Sequence, residues 1–261
     1  MPDISSMIEK TFFANYRSWG GLHSPLYHSG SIWAMKTGIE SADLNGAWSE
    51  KPLMPDDGKA IRDIKKSYQR AGLPFWWWVF PGSQSPSTIA MLKAEAFSFI
   101  DSIPSMLADL ILLPDEEPCN AAVSVIHVTS YEELSWWEDV SFAGFDFPSA
   151  TKEQYHRFVS AFSLKPESPH QFFLARWNGK PVATSLLFLN GDAAGVYFVT
   201  TLADCRKKGM GLELTRATMR FAKSAGARYA TLQSSPDGVR VYKQAGFKEY
   251  CQTAVYSLSA R

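Results

Sequence analysis

Residues 202–211, Leu-Ala-Asp-Cys-Arg-Lys-Lys-Gly-Met-Gly, form the stretch of sequence that decides the fold. They follow a strand-like run that ends at Thr201 and precede a helical pattern that begins at Leu212. Gly209 and Gly211 let the backbone turn tightly and expose its N–H groups with no Cβ in the way. The first turn of the helix adds unpaired N–H groups and the positive end of the helix dipole. The stretch therefore predicts a loop that binds a negatively charged group.

Three consecutive basic residues, Arg206, Lys207 and Lys208, add positive charge to this loop. Free backbone amides, a helix N-terminus and cationic side chains together favour a phosphate or a pyrophosphate. A glycine-rich turn beside a solvated basic run fits the same residues equally well. The loop is neither a nucleotide-binding P-loop nor a dinucleotide fingerprint, because Gly-x-x-x-x-Gly-Lys-Ser/Thr and Gly-x-Gly-x-x-Gly are both missing from it.

The sequence around this loop predicts an α/β architecture with a mixed sheet. Ser130-Tyr-Glu-Glu133 has the form of a capping box and opens a helix. Asn178-Gly179 is typical of a hairpin turn, and Gly226 and Gly246 are typical helix stops. In the second half, the predicted strands are 122–128, 172–176, 182–189, 195–201, 229–233 and 247–258, and the predicted helices are 130–143, 152–164, 212–225 and 237–245.

A second motif, Tyr242-Lys-Gln-Ala-Gly-Phe247, closes the last of these helices. It follows the Arg-x-x-Gly-x-Gly of residues 206–211 after one helix and one strand. In this order and separation the two motifs resemble those of the GNAT superfamily of N-acetyltransferases. The resemblance covers roughly residues 120–258 and implies a GNAT-like acyl-CoA N-acyltransferase fold.

The resemblance also implies acetyl-CoA as the co-substrate. Tyr242 would be the general acid that protonates the departing thiolate, a role that suits a phenol because its pKa near 10 lies above that of a thiol. The expected cofactor contacts are the backbone groups of Val199, Thr200 and Thr201, which would pair with the pantetheine arm like an added strand, and the amides of Arg206, Lys207, Lys208, Gly209, Met210 and Gly211, which would hold the pyrophosphate.

Two positions depart from the family pattern. Ser235 stands where many members carry Asn, and we include it among the cofactor-binding residues although a serine reaches less far. Residues 196–201 contain no carboxylate, whereas many members place a Glu there to deprotonate the amine. No general base is assigned for this reason. His127 and His170 flank strands and are expected to be structural.

The first half looks like a second copy of the same fold. An offset of 150 residues pairs Phe97 with Phe247, and an offset of 153 pairs residues 76–80 with 229–233. Coincidence is the alternative, because short strand–turn–helix–strand units recur widely. If the first half is a repeat, the aromatic segments around Trp33, Trp48 and Trp76–Trp78 are expected to be core, or else to form a wall of the acceptor pocket.

The differences between the copies indicate that the first one is degenerate. Leu92 takes the place of Tyr242, and residues 52–58 take the place of the glycine-rich loop. Their two prolines lack amide donors, and Asp56 and Asp57 would repel a pyrophosphate. With a boundary at the Pro-Asp-Glu-Glu-Pro of residues 114–118, we predict a degenerate GNAT-like domain at 1–118 that does not bind CoA and a GNAT acetyltransferase domain at 119–261.

Composition excludes several classes of protein. The 26 basic and 26 acidic residues cancel, which argues against a general nucleic-acid binder, although residues 176–261 alone carry 13 basic and 5 acidic side chains. No apolar run approaches the roughly 18 residues of a membrane helix. The three cysteines are scattered and lack a Cys-x-x-Cys spacing, so we predict neither disulfides nor a metal site, and a cytoplasmic location.

Two functions of different classes remain. The first is transfer of an acetyl group from acetyl-CoA to a primary amine of a small-molecule or peptide acceptor by direct attack. The alternative is a non-catalytic acyl-CoA-binding or regulatory protein that kept the loop without a base. Aminoacyl transfer from charged tRNA is less favoured, because the basic residues suit a single cofactor. The sequence identifies neither the acceptor nor the oligomeric state.

Overall fold

The computed structural model describes residues 3–22, 25–114 and 122–258 of the 261-residue chain. The chain divides into two compact units: unit 1 takes the described parts of Met1–Pro104 and Cys251–Arg261, and unit 2 takes those of Ser105–Tyr250. The boundary predicted at residues 114–118 lies, apart from Pro114, outside the described residues, as does Cys119. The two units also assign the last strand to unit 1, which a boundary at residue 118 does not do. The functional assignment of the two domains stays a prediction.

Unit 1 is built on a mixed sheet. Its strands follow the order β1-β2-β3-β4-β11-β5, in which β3 and β4 are parallel and the pairs β1–β2, β2–β3 and β4–β11 are antiparallel. The elements are helices α1 (Ile4–Gly21), α2 (Gly58–Ala71) and α3 (Pro86–Ala94), and strands β1 (Tyr27–Ser29), β2 (Ile32–Met35), β3 (Gly46–Ser49), β4 (Trp76–Val79), part of β5 (Phe97–Asp109) and most of β11 (Lys248–Leu258).

Aromatic side chains make up much of the core of unit 1. Trp48 on β3 and Trp78 on β4 face each other in the parallel ladder, and both are buried. The ring of Tyr16 on α1 packs edge-on against both indoles. On α2, apolar residues at helical spacing, including Ile61, Ile64 and Tyr68, are buried in a second cluster. The tryptophans of these segments were expected to be core. Trp48, Trp77 and Trp78 are buried, whereas Trp76 is half-buried.

Unit 2 is also a mixed sheet, with the strand order β5-β10-β9-β8-β7-β6. Strands β9 and β10 are parallel, and the other neighbours are antiparallel. The elements are strands β6 (Val123–His127), β7 (His170–Trp177), β8 (Lys180–Asn190), β9 (Ala193–Thr201) and β10 (Tyr229–Gln233), and helices α4 (Tyr131–Gly144), α5 (Lys152–Ser160), α6 (Met210–Ser224) and α7 (Val239–Gln244).

Local signals in the sequence of unit 2 have their expected structural roles. The Ser130 hydroxyl accepts the N–H of Glu133, and the Glu133 carboxylate accepts the N–H of Ser130, so the predicted capping box is present. Asn178 and Gly179 have φ angles of 48° and 81°, which suit the turn between β7 and β8. The predicted α/β fold with a mixed sheet is confirmed.

Three expectations differ from the structure. The helix predicted over residues 152–164 ends at Ser160, because the segment that follows contains Pro166 and turns toward β7. The pair Asn45-Gly46 has the composition that predicts a hairpin turn, but it does not form one. Asn45 is buried, its side chain bonds the backbone of Thr37 and Ile39, and Gly46 begins β3. Helix α1 was not expected at all.

Within the described ranges, no helix is both long enough and apolar enough to span a membrane.

Candidate functional site

Strands β9 and β10 pair over only a short ladder. Residues 193–195 of β9 pair with residues 229–231 of β10. β9 then continues to Thr201, whereas β10 ends at Gln233. The backbone of residues 196–201 is therefore outside the ladder on the side of β10. An extended molecule can bond there as an added strand.

A β-bulge lies in this free part of β9. Phe198 has a left-handed φ of 50°, and the register with β8 shifts between Thr184 and Leu186. The Thr184 hydroxyl donates to the carbonyl of Phe198 at 3.0 Å and so holds the irregular backbone. Gly195 is required nearby, because a Cβ there would lie 2.4 Å from the ring of Tyr197. The bulge re-aims the side chains of β9 at the point where the two strands part.

The loop from β9 to α6, residues 206–211, is called the amide loop below. Lys207 and Gly209 both have left-handed φ angles, 61° and 88°. The N–H groups of Leu212 and Glu213 donate to the carbonyl of Gly209. Across the described part of the chain, by contrast, the N–H groups of residues 207–211 have no acceptor. A run of unpaired donors at a helix N-terminus suits a pyrophosphate.

The basic side chains of the amide loop mostly brace it. The Arg206 guanidinium donates to the carbonyls of Thr201 at 3.0 Å and Gly144 at 3.2 Å. Lys208 donates to the carbonyl of Asp204 at 2.9 Å. Lys207 is exposed. Binding of an anion by this loop thus depends on backbone amides, and the side chains supply charge around them. The carbonyl of Thr201, one of the expected pantetheine contacts, is already engaged by Arg206.

Tyr242 lies on α7 and is buried. Its ring packs edge-on against Phe247 at 5.9 Å and lies so close to Gly238 that a Cβ on that glycine would be 2.7 Å from it. The hydroxyl has no hydrogen-bond partner among the described residues, and it is not sealed from solvent. Burial raises the pKa of Tyr242 above the ordinary value of 10. The phenol is therefore protonated at neutral pH and free to donate.

Ser235 precedes α7. Its hydroxyl accepts the N–H of Gly238 at 3.3 Å, and its carbonyl accepts the hydroxyl of Ser234 at 2.8 Å. The hydroxyl hydrogen of Ser235 stays available to a ligand, and its cofactor role stays a prediction. The same holds for the other expected contacts on β9 and the amide loop.

The acidic and histidine residues near these elements show no general base. Asp192, Asp204 and Asp237 are exposed at turns and loops. His127 bonds the Gln171 side chain at 2.7 Å. Burial lowers the pKa of His170 to about 3, so that imidazole is neutral. These environments are those of structural residues.

Sequence reasoning missed two glycines that shape the site. A Cβ at Gly144, the last residue of α4, would lie 2.6 Å from the side chain of Thr200. A Cβ at Gly195 would likewise lie too close to the ring of Tyr197. A lone glycine inside a strand pattern is a signal of close approach, so Gly195 was open to prediction. Gly144 looks only like a helix end in the sequence.

Within the described residues, no group of three or more His, Cys, Asp or Glu side chains lies close enough together to hold a metal ion. Cys205 and Cys251 are free thiols. The absence of a metal from the chemistry stays a prediction.

Residues 131–247 match the model of the Acetyltransferase (GNAT) family. That segment contains the amide loop and the motif from Tyr242 to Phe247. No curated protein matches the chain significantly.

Solved structures with the same fold cover nearly the whole chain. A GCN5-related N-acetyltransferase from Kribbella flavida has a TM-score of 0.77 at 18% identity, covering 100% of this chain and 98% of its own. One from Sphaerobacter thermophilus has a TM-score of 0.66 at 14% identity, with 88% and 78% covered. A tandem GNAT protein from the clavulanic acid biosynthesis pathway has a TM-score of 0.59 at 14% identity, with 88% and 79% covered. At these identities the likeness establishes a GNAT-like fold.

Proposed function

We propose that this chain is an N-acetyltransferase that moves the acetyl group of acetyl-CoA to a primary amine of a small-molecule or peptide acceptor by direct attack. The observation that carries the proposal is the run of unpaired N–H groups at residues 207–211, directly after the free part of β9. An extended chain that ends in a pyrophosphate matches both features at once.

The donors present fit acetyl-CoA. Residues 199–201 lie beyond the ladder with β10, and their backbone groups, except the carbonyl of Thr201 that accepts Arg206, are proposed to pair with the amides of the pantetheine arm. The amide loop then meets the pyrophosphate, and Gly209 and Gly211 keep its surface open: a Cβ at Gly211 would have no neighbour closer than 3.8 Å. Bound in this way, acetyl-CoA supplies an activated thioester.

Tyr242 is proposed as the general acid. The amine nitrogen forms a bond to the acetyl carbon, the C–S bond breaks, and the sulfur leaves as a thiolate. The phenol gives its proton to the sulfur. The proton that the amine loses returns to solvent or to the phenolate, so the products are an amide and a neutral thiol. A protonated, unpartnered hydroxyl at this position supports the role.

The same proposal covers the first half of the chain. Its elements from β1 to β5 repeat the order of those from β7 to β11: three strands, a helix, a strand, a helix and a strand. We propose a tandem arrangement in which the copy within residues 1–118 does not bind CoA and the copy within 119–261 is the acetyltransferase. A cytoplasmic location, where thiols stay reduced, belongs to the same proposal.

A second candidate, a non-catalytic acyl-CoA-binding or regulatory protein, is favoured by one observation. Residues 196–201 carry no carboxylate, so the strand beside the amide loop offers no base. An acceptor that arrives as a neutral amine does not need one. The two candidates share the cofactor and differ only in turnover.

Two measurements on the full chain separate these outcomes. Titration calorimetry with acetyl-CoA is expected to give one site per chain. Thiol release from acetyl-CoA is then followed with a panel of amines: 2-phenylethylamine, 1,4-diaminobutane, lysine and a dipeptide. Amine-dependent thiol release that falls in Tyr242→Phe supports the acetyltransferase. Binding without amine-dependent release supports the second candidate, and no binding contradicts both.

A further inference from the structure

The C-terminal end of α4 is closed by a Schellman motif. The N–H of Asp146 donates to the carbonyl of Ala143 at 3.2 Å, and the N–H of Phe147 donates to that of Phe142 at 3.3 Å. Asp146 takes the left-handed conformation that this motif needs, with a φ of 54°. The rings of Phe142 and Phe147 meet at 5.9 Å, which is the apolar contact that accompanies the motif. The motif leaves Phe145 at the tip of the helix.

Phe145 joins these rings to the bulge of β9. Its ring packs edge-on against Phe198 at 5.7 Å and lies 5.7 Å from Phe147. We call Phe142, Phe145, Phe147 and Phe198 the aromatic wall. Tyr155 on α5 backs it, with its ring 5.1 Å from Phe147. Because Tyr155 is fully buried and its hydroxyl bonds Ser141, the wall has a rigid support.

The wall is partly open to solvent. Phe145 is 37% exposed, Phe142 and Phe147 are half-buried, and Phe198 is buried. Three neighbouring phenylalanines with accessible rings form a contiguous apolar patch at a helix end. Such patches mark binding surfaces more often than isolated exposed rings do.

The position of the wall links it to the proposed acetyl-CoA strand. Gly144, next to Phe145, packs directly on Thr200, and its carbonyl accepts the guanidinium of Arg206. Phe198 itself is the bulged residue of β9. The wall therefore adjoins the free part of β9, where the proposed function puts the thioester arm.

The chain segment that carries three of the four wall residues, 142–147, has one charged side chain, Asp146, which is an exposed carboxylate. Arg206 brings a positive charge beside Gly144. A polyamine carries several positive charges and needs several carboxylates to replace its water, whereas this segment carries one. An amine with one positive charge and an aromatic body needs apolar rings and one carboxylate.

We infer that the aromatic wall binds the acceptor and that the acceptor is a primary amine carried on an aromatic ring. The inference rests on the proposed function and deepens it. The acceptor's ring packs against Phe145, and its amine reaches past Phe198 to the thioester.

The test compares 2-phenylethylamine with 1,4-diaminobutane as acceptors. The intact protein is expected to have the higher kcat/KM for 2-phenylethylamine. Phe145→Ala is expected to raise the KM for 2-phenylethylamine about tenfold, because the ligand loses one contact between aromatic rings and the apolar area that this contact buries. The KM for acetyl-CoA and the rate with 1,4-diaminobutane are expected to stay within about twofold.

Tyr131→Ala is the matched control, because it removes an exposed ring from the first turn of the same helix. Phe145→Leu keeps an apolar side chain and is expected to fall between the intact protein and Phe145→Ala. It also keeps the test decisive if the alanine variant folds poorly. Equal losses for both amines, or a preference for 1,4-diaminobutane, overturn the inference.

A binding readout separates this inference from the proposed function. Saturation-transfer NMR of 2-phenylethylamine with the CoA-bound protein is expected to show contact to the ring protons, and the contact is expected to weaken in Phe145→Ala. If acetyl-CoA itself does not bind, the proposed function fails. If acetyl-CoA binds and amines are acetylated with no ring preference, only the aromatic wall inference fails.

Discussion

The loop after β9 and the loop after β3 each lie between the third strand of a three-strand run and a helix, but the hydrogen bonds of their backbones differ. After β9, the N–H groups of residues 207–211 have no acceptor within the described chain. After β3, Leu53 donates its N–H to the hydroxyl of Thr88 at 3.0 Å and accepts the hydroxyl of Ser87 at 2.8 Å. Its side chain is fully buried. In unit 1 the chain itself thus bonds the backbone of this loop, whereas in unit 2 it leaves the N–H groups of residues 207–211 without an acceptor among the described residues.

The difference arises from the residues of the loop in unit 1. Pro52 and Pro55 carry no N–H, and the carboxylate of Asp57 takes the N–H of Met54. On α3, Leu92 is buried in the core, and under the proposed tandem arrangement it takes the place of Tyr242. In that proposal, backbone donors and one side chain, rather than the fold, separate a CoA-binding copy from one that does not bind CoA.

The strongest test of this comparison removes a buried phenol from each unit. Tyr242→Phe is expected to lower kcat by about 100-fold or more, because a positioned proton donor contributes that much. Its unfolding free energy should change little, since the hydroxyl has no partner to lose among the described residues. Steady-state kinetics of thiol release and thermal unfolding measure the two effects.

Tyr68→Phe is the matched control in unit 1. The Tyr68 hydroxyl donates to the carbonyl of Met35 and also lies 3.2 Å from that of Gly46. Its loss is expected to cost about 1–3 kcal/mol of unfolding free energy with kcat unchanged. If the two variants change kcat and the unfolding free energy by the same amounts, the two phenols are equivalent and the assignment of a general acid to unit 2 is wrong.

A glycine pair gives a smaller effect. Gly209→Ala forces an alanine into a φ of 88°, and strain of about 1–3 kcal/mol will shift the amide loop. The Kd for acetyl-CoA is expected to rise about tenfold in calorimetry. Gly58→Ala in unit 1 has an ordinary φ of −57° and room beside the flexible side chain of Arg62. An affinity change in Gly58→Ala would show that unit 1 also takes part in binding.

The pH profile gives the subtlest test. A general acid works only while it is protonated, so kcat falls with rising pH at the pKa of that acid. Because burial raises the pKa of Tyr242 above 10, kcat is expected to rise as the amine deprotonates and then to stay level up to about pH 10. Thiol release measured from pH 7 to 10 checks this. A fall with a midpoint below pH 10 that vanishes in Tyr242→Phe would mean that the phenol is not desolvated.

Much of unit 2 was predictable because its signals are local. The Ser130 capping box, the Asn178-Gly179 turn and Gly226 each set a boundary through residues that are neighbours in the chain. Tyr242 and the amide loop were found in the same way, as short motifs. Such signals survive without knowledge of tertiary contacts.

The remainder depends on contacts between distant residues. Asn45-Gly46 has the composition of a turn, but its buried partners Thr37 and Ile39 make it the entry to a strand. The bracing of the amide loop by Arg206 and Gly144 joins positions 62 residues apart. The aromatic wall likewise needs Phe198 on β9 beside α4, which ends 54 residues earlier at Gly144. Spacing in the sequence carries no signal for such pairs.

Strand β11 completes unit 1, although it follows all of unit 2 in the chain. β4 pairs with residues 254–256 of β11, so the edge of β4 stays unpaired until those residues have been synthesised. During synthesis unit 1 therefore has an unpaired strand, which can bind other chains, until unit 2 has been made. An N-terminal fragment that ends near residue 118 would lack β11. Unit 1 is therefore not a continuous segment of the chain, and it cannot be expressed whole without the residues of β11.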